Sequence, residues 1–459
     1  MEVGENERAR MDFVLSAISQ YKATSGYKTA LDACEYEKQR NTTISRYRKL
    51  LYDLQGRAVP DNWSANHKCA SNFFNRFVTQ EASYLLGNGV TFENDGTKER
   101  LGKTFDAELY KAGKAALVQG VAYGFYNYDH VEIFKALEFL PLYDEEDGAI
   151  KAGIRFWQVS DDKPMRATLY ELDGLTEYIK RRDEEMTVHT VKRAYKQISR
   201  HSEVDGTRIY DGGNYPTFPI VPLWGNQSHQ SELVGMRENI DCYDLIKSGF
   251  ANDLDEASMI YWTLENTGGM SDIDLAKFRE RMKLIRVADV EGDEGAKATA
   301  HTMEVPYQSR ETYLSRLEND MYNDYMALNV AQIASGAVTA TQIEAAYEPL
   351  NNKADEFEYC VIDFIQGLLA IAGVEDNPSF TRSKIVNQSE EIEVVLSAAE
   401  YLDDEFIVER ICNVLGCPDK KDEILARRDA ESAGTFGASD TEEENGNDNA
   451  DGEEVLTDD

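Results

Sequence analysis

A mixed α+β fold, mainly helical with one antiparallel β region, is what the sequence predicts, and three observations predict it. Apolar residues recur at alternating steps of three and four along two stretches. The first holds Leu314, Leu317, Met321, Tyr325 and Leu328; the second holds Ile343, Tyr347, Leu350, Ala354, Phe357, Val361, Phe364, Leu368 and Ile371. That period gives each helix one narrow apolar seam, as in helices packed side by side. From Asp129 to His201 the period changes to two, with turn residues between the runs. The chain is also long, 459 residues at 42% hydrophobic and 10% aromatic, which exceeds one core and predicts two or more domains.

Taken in order, residues 1–56 read as polar helix with little apolar face. Ala65–Leu86 reads as an amphipathic helix, with Phe73, Phe74, Phe77, Val78, Ala82, Leu85 and Leu86 on one side and Gly87-Asn88-Gly89 as its stop. Leu101–Ala122 reads as an Ala-rich helix. Strand runs follow at 131–134, 150–157, 167–172, 175–179 and 188–198. They are separated by turns at 144–148, 161–164, 173–174 and 181–185, an antiparallel meander. Pro216, Pro219 and Pro222 read as the connector that ends it. Ser231–Trp262 reads as a heptad helix carrying Leu233, Met236, Ile240, Tyr243, Phe250, Leu254, Ala257 and Tyr261, interrupted by Lys247. A small mixed unit is expected over 263–306, with a helix at 273–283 and a strand at 284–287 paired with 298–305. The two seams then flank Ile333-Ala334-Ser335-Gly336-Ala337-Val338-Thr339, and Thr341-Gln-Ile-Glu344 restarts the helix as a capping box. Two or three short helices are expected from Ser389 to Arg428.

Charge narrows the partners. The formal net charge is -36, and the stretch from Asp429 to Asp459 holds twelve acids and no Lys or Arg, so it reads as disordered. So acidic a surface repels nucleic acid, because phosphate binding needs Lys and Arg to displace counterions. Neither a signal peptide nor a run of membrane-spanning length is present, so no membrane partner is expected. Six scattered cysteines (34, 69, 242, 360, 412 and 417) form no C-x-x-C, which predicts free thiols and no zinc. Cys412 and Cys417 are placed on one short helix and its end.

Motifs for chemistry are weak throughout. Gly96-Thr-Lys-Glu-Arg-Leu-Gly102-Lys103-Thr104 has one residue too many between its glycines for a phosphate loop, and reads as a turn leading into a helix. The acids at 144–147 stand before Gly148 between two strand runs, so a solvated hairpin turn is expected rather than a cation site. Each of the six His lacks a neighbour at metal-ligand spacing, and no nucleophile elbow is found. No catalytic residue, metal site or cofactor is predicted.

The order of several local strings resembles the portal protein of tailed bacteriophages, the long-tailed siphophage type. These strings are Tyr84-Leu85-Leu86-Gly87, Gly120-Val-Ala-Tyr-Gly124, Asn127-Tyr128-Asp129, Pro141-Leu-Tyr-Asp-Glu-Glu146 and Gly153-Ile-Arg-Phe156. Pro219-Ile-Val-Pro222, Ile240-Asp241-x-Tyr243-Asp244, Asn252-Asp253-Leu254 and Ala334-Ser335-Gly336-x-x-Thr339 follow, so the likeness spans roughly 65–375.

The resemblance implies a non-enzymatic homo-oligomer, a dodecameric ring at one capsid vertex, assembled in the host cytoplasm, through which double-stranded DNA is packaged and ejected. It implies the terminase large subunit, a head-tail adaptor, and capsid and scaffold proteins as partners. Carried over, 1–230 is a wing, 231–262 and 307–332 are stem helices, 263–306 is a clip and 333–340 is a tunnel loop. Residues 341–375 form a wing helix kinked at Pro349, 376–430 a crown, and 431–459 the acidic tail. Helices packed 8–10 Å apart in such a ring leave a bore of roughly 25–30 Å, enough for duplex DNA. Glu311, Glu318, Asp320 and Asp324 are candidates for its wall; alternatively they pair with Arg310 and Arg316 between subunits. A rival reading is a nucleic-acid-processing enzyme with a helical oligomerisation domain, which requires a catalytic cluster. A scaffold that packs helices without enclosing DNA is the third.

Overall fold

The computed structural model describes the chain apart from residue 1 and the stretches 53–54, 63, 95, 202–207, 258–260, 266–270, 286–296, 302–305, 335–339, 384–391, 393–394, 400, 416–419, 422 and 429–459. It divides into two units, Met1–Ser383 and Lys384–Asp459. The first opens with α1 (Glu2–Ala23), α2 (Ser25–Glu37), α3 (Thr42–Arg46), β1 (Leu50–Tyr52) and β2 (Ala58–Pro60). Then come α4 (Phe73–Leu86), β3 (Val90–Phe92), α5 (Thr97–Leu101) and α6 (Phe105–Gln119). The strands are β4 (Val121–Asn127), β5 (His130–Lys135), β6 (Phe139–Tyr143), β7 (Ile150–Trp157), β8 (Met165–Glu171), β9 (Gly174–Lys180), β10 (Thr187–Arg193), β11 (Lys196–His201), β12 (Arg208–Gly213) and β13 (Ile220–Trp224). The unit closes with α7 (Arg237–Ala257), β14 (Tyr261–Glu265), α8 (Asp272–Ile285), β15 (Lys297–His301), α9 (Tyr307–Tyr325), α10 (Val330–Ala334), α11 (Ala340–Ala372) and β16 (Pro378–Phe380). In the second unit, α12 (Asp404–Val414) buries Ile407, Val408 and Cys412, and Lys421 pairs with Glu405 and Glu409. Cys417 and the acidic tail lie outside the described residues.

The mixed α+β class holds, but the meander is divided. β10-β9-β8-β7-β6 form one five-stranded antiparallel sheet, β13-β4-β5 a second sheet, and β11-β12 a separate hairpin. Gly174 opens β9 at φ +137, where a Cβ would stand 2.3 Å from the Arg193 carbonyl oxygen, so only glycine fits that turn. On one face of the larger sheet, Ile154, Phe156, Ala167, Leu169 and Tyr178 pack on Val14 and Ile18 of α1. The other face brings Phe139, Tyr170 and Leu175 onto Val121, Tyr123, Phe125 and Phe134 of the second sheet. Beyond it, Ala122 and Tyr126 join α4, α6 and α11 in the main core. Each fully buried Phe or Leu contributes about 1.5–3 kcal/mol, which makes these layers the main cohesion of the unit.

Several boundaries differ from expectation, each for a local reason. The N-terminal polar helix is two helices broken at Thr24, whose hydroxyl accepts from the Tyr27 N–H as an N-cap, and residues 50–60 form a hairpin. Helix α4 begins only at Phe73. Residues 67–71 are instead extended beside α7, their amides held by its side chains: His67 donates to Asn252 (2.6 Å), Cys69 to Ser248 (2.9 Å) and Ser71 to Asp244 (2.8 Å). The start of the expected heptad is buried at Leu233, Met236 and Ile240, but α7 then buries Asp244, Ser248 and Asn252, which the heptad does not include, and leaves Leu245 and Leu254 exposed.

The expected helix over Leu101–Ala122 is α5, a turn and α6; Gly120 in the left-handed region ends it, and Val121–Ala122 start β4. Of the expected connector, Pro216 and Pro219 lie between β12 and β13, but Pro222 lies within β13, an edge strand where proline is tolerated. In the small mixed unit, the partner of β15 is β14, not 284–287: Leu284 and Ile285 belong to α8, and 286–287 lie outside the described residues. Helix α9 stops at Tyr325, with Met326 left-handed. Helix α11 starts at Ala340, which places Thr341 inside its first turn rather than at the cap. Residues 376–383 belong to the first unit, where β16 pairs with β3.

Candidate functional site

The two seams and the break between them supply the candidate site. Along α11 the expected seam is buried in full, from Tyr347, Leu350 and Ala354 through Phe357, Val361, Phe364 and Leu368 to Ile371, with Ile343 partly covered. On α9, Leu317, Met321 and Tyr325 are buried, and Leu328 follows in the link to α10. Of the expected loop, Ile333 and Ala334 end α10, while Ser335, Gly336, Ala337, Val338 and Thr339 lie outside the described residues. The two flanks of that stretch meet on one apolar cluster. Tyr84, Leu328, Tyr347, Leu350 and Ala354 form its centre, with Ile333 from one flank and Ile343 and Ala346 from the other.

Helix α4 fixes this junction through residues of one face. Arg76 donates to the Tyr322 hydroxyl (2.5 Å). The Gln80 amide holds Leu328 at both ends, donating to its carbonyl (3.0 Å) and accepting from its N–H (3.0 Å). Glu81 accepts from the Tyr325 hydroxyl (2.7 Å). Tyr84 donates to the Asn351 side-chain oxygen of α11 (2.5 Å), which Arg382 also approaches while pairing with Asp355 and with Glu358 (2.7 Å). A charged cluster lies behind these contacts. Lys353 of α11 donates to Glu232 (2.7 Å), stands 3.9 Å from Glu81 and lies 4.4 Å above the Tyr325 ring. Burial pushes the Glu81 carboxyl up to about 8, against the opposing pull of Lys353 and the Tyr325 hydrogen bond. With its charge suppressed by burial, Glu81 works as a hydrogen-bonding anchor, and Lys353 takes Glu232 as its ionic partner.

Sequence reading did not find Arg76, Gln80, Glu81, Glu232 or Lys353. The available signal was positional: Arg76, Gln80, Glu81 and Tyr84 share the α4 face that carries Phe73 and Phe77.

The four wall candidates are not brought together. Glu311, Asp320 and Asp324 are exposed and Glu318 is half-buried. Asp324 accepts from Asn239 of α7 (3.0 Å), and Asp320 lies 3.8 Å from Arg316 on its own helix. Arg310 pairs with Asp253 of α7 within the chain. Pro349 lies inside α11 and lacks the N–H that would meet the carbonyl one turn back.

The remaining motifs resolve structurally. Lys98 of the Walker-like string bonds the Val90 carbonyl (3.0 Å) and pairs with Asp106 (2.6 Å), and Gly102 is left-handed against His130. Asp144 and Asp147 accept from the Glu146 and Ala149 amides of their turn, and both hold Lys151. A cavity of about 610 Å³ between the sheets is lined by paired charges, Arg193 with Glu177 (2.7 Å) and Arg155 with Glu132 (3.4 Å). Among the described residues no group of three His, Cys, Asp or Glu could hold a metal, and no helix is long and apolar enough to cross a membrane.

Comparison with known proteins places the sequence in a family. Residues 28–434 match a family model described as phage portal protein, SPP1 Gp6-like. The portal protein of Bacillus phage SPP1 is 25% identical over 380 residues, covering 76% of this chain and 73% of that protein. The portal protein of Clostridium phage phiCD119 is 25% identical over 365 residues, covering 72% and 78%. A chain from the neck of an empty GTA particle aligns at a TM-score of 0.43 and 11% identity, covering 73% of this chain and 88% of that one.

Proposed function

This chain belongs to the SPP1 Gp6-like phage portal protein family, and from that premise we propose that its copies form a dodecameric ring at one capsid vertex through which double-stranded DNA enters and leaves. The match over residues 28–434 carries this reading. The ring has no enzymatic activity of its own in this proposal. A separate terminase motor drives the DNA, and the ring also docks a head-tail adaptor and meets capsid and scaffold proteins.

Helices α7 and α9 act as the stem, the β14–α8–β15 unit as the clip, and residues 333–339 as the loop that reaches the DNA. The crown begins at 384, since 376–383 pair into the first unit. Support for this reading comes from the α9 side of the junction, which α4 fastens through Gln80 to Leu328 and Glu81 to Tyr325. An acidic wall suits a conduit, because DNA finds no cations on which to stick. Pro349, with its lost helical bond, is the place where α11 bends.

Negative-stain images of the purified protein, viewed down the axis, should show rings of about twelve units with a central hole. Gly336→Trp with Ala337→Trp should leave those rings intact and lower DNA packaging by at least about tenfold. Compact monomers or dimers would sink the ring, and normal packaging by the double variant would sink the loop assignment.

A further inference from the structure

Residues 38–60 are the basic exception in an acidic chain. They carry Lys38, Arg40, Arg46, Arg48, Lys49 and Arg57 against Asp53 alone, while the whole chain stands at -36. Structurally this segment is the turn after α2, α3 and the β1–β2 hairpin. Both strands of the hairpin are exposed throughout. Its apolar side chains are left in the open, Tyr52 at 74%, Leu50 at 53%, Leu51 at 48% and Val59 at 44%, with Tyr47 just before them at 49%. A lone two-stranded ribbon is marginally stable in water, and none of this one's described residues belongs to a core cluster. Its base is nevertheless held. The Asp61 N–H donates to the Lys49 carbonyl (2.9 Å), and the Lys49 ammonium lies 3.4 Å from Glu256 near the end of α7. Lys38 and Arg40 pair with Glu35 within the chain, which leaves Arg46 and Arg48 as exposed cations just before an apolar hairpin.

We propose that the β1–β2 hairpin is a docking arm and that its partner is a second copy of this chain. The inference rests on the ring reading and adds which surfaces close the ring. Charge selects the partner: without residues 38–60 the chain is more acidic than its total, so each copy offers the arm of the next an anionic surface. Exposed Leu, Tyr and Val select protein over DNA, since a phosphate backbone is met by cations and polar groups and gives aliphatic strands nothing to pack on.

The receiving surface is one flank of the α7–α9 pair. At 100° per residue, Leu254 lies 200° from Glu256, which holds the arm of its own copy, so Leu254 faces the opposite way. Tyr243 shares the flank of Leu254, eleven residues or three turns away. Glu318 lies beside Tyr243, where burial and then Glu318 hold the phenol proton on, and Glu311 sits two turns from Glu318 on the same side of α9. Lys247 also stands on this flank, 5.9 Å from the Tyr243 ring. The flank therefore offers an exposed leucine among acids, the complement of a basic arm carrying Leu50 and Tyr52. Arm and receiver occupy different sides of one chain, and such a head-to-tail contact closes into a ring. Glu311 and Glu318 accordingly belong to the seam between copies, and Asp320 and Asp324 remain for the bore.

The test is native mass spectrometry of the full chain, with the far-ultraviolet circular dichroism spectrum as the folding control. Arg46→Glu with Arg48→Glu and Leu50→Ser should keep the wild-type spectrum, because all three side chains are exposed, and should shift rings to monomers with at least about a tenfold rise in the assembly midpoint. Adding Glu311→Lys to the two reversed arginines, with Leu50 restored, should recover rings. Failure of the wild type to form rings overturns the ring reading itself. Wild-type rings matched by undiminished rings of the arm variant overturn the arm. Rings lost and not recovered by Glu311→Lys overturn the receiving flank. Rings kept while retention of duplex DNA falls would make the arm a nucleic-acid contact and also overturn the proposal.

Discussion

Helix α11 buries a row of aromatic and aliphatic side chains, whereas α7 buries a row of polar ones. Phe357, Val361, Phe364 and Leu368 face other side chains of α4, α6 and the second sheet, so closing that interface removes apolar surface from water on both sides. Asp244, Ser248 and Asn252 face the backbone of residues 67–71, an extended segment that belongs to no sheet. Its amides must be paired once they leave water, and α7 supplies one acceptor per turn. The difference teaches that a helix takes the chemistry of whatever covers it. An extended chain asks for acceptors at every turn, and another helix asks for hydrocarbon.

Three substitutions would break or sharpen this contrast. Phe364→Ala should cost the most, about 3–5 kcal/mol, because a buried ring is lost beside Gly124 and the cavity cannot collapse onto the sheet; chemical denaturation measures it. Asp244→Ala should cost about 1–3 kcal/mol, since the Ser71 N–H and the Asn41 side-chain amide both lose their acceptor. Hydrogen exchange should then quicken at Ser71 and Cys69 while α11 stays protected, and equal loosening of both helices would refute the division of labour.

The third test lies where α4 meets α11 in a polar contact, Glu81 facing Lys353, and its effect is read as a slope with pH. Burial raises the Glu81 carboxyl from 4.5 to about 8, so the fold favours its neutral form. The contribution is therefore full below about pH 4.5 and is lost as pH rises towards 8, where the folded group ionises as well. Glu81→Gln removes this dependence. Its stability relative to wild type should climb between pH 5 and 8 by about 1 kcal/mol per unit, below the ceiling for a single proton. A flat difference across that range would mean that Glu81 is ionised in the fold.

Much of the frame was legible in the residues because the signals were local. The α11 seam, the strand runs at 131–134, 150–157, 167–172 and 175–179 and the hairpin turn at 144–148 follow from periodicity and turn chemistry alone, whereas the run 188–198 is split between β10 and β11 of different sheets. β4 was hidden because Val121–Tyr126 is buried on both faces, which erases the alternation that marks a half-buried strand. Residues 65–72 looked helical because the strong apolar pattern after Phe73 was extended backwards over a segment whose partner lies in α7, far along the chain. The pairing of β14 with β15 was missed for a similar reason, since α8 lies between the strands. At the junction, Gln80 and Glu81 are ordinary helix residues by composition. Only the fold brings Leu328 and Tyr325 to them.

Three close approaches have a mechanical consequence. Gly113 of α6, Gly124 of β4 and Gly367 of α11 are places where an added Cβ would meet Leu86 at 2.5 Å, Phe364 at 2.5 Å and Val221 at 2.7 Å. Gly113 thus seats Leu86 of α4, Gly124 seats the Phe364 ring of α11 and Gly367 seats Val221 of β13, each too closely to admit a Cβ. A close-packed interior of this kind is barely compressible and passes strain on. The C-terminal half of α11 is thus a clamped beam, and a load applied at its Ala340 end is carried into the α6 and β4 body rather than absorbed along the way.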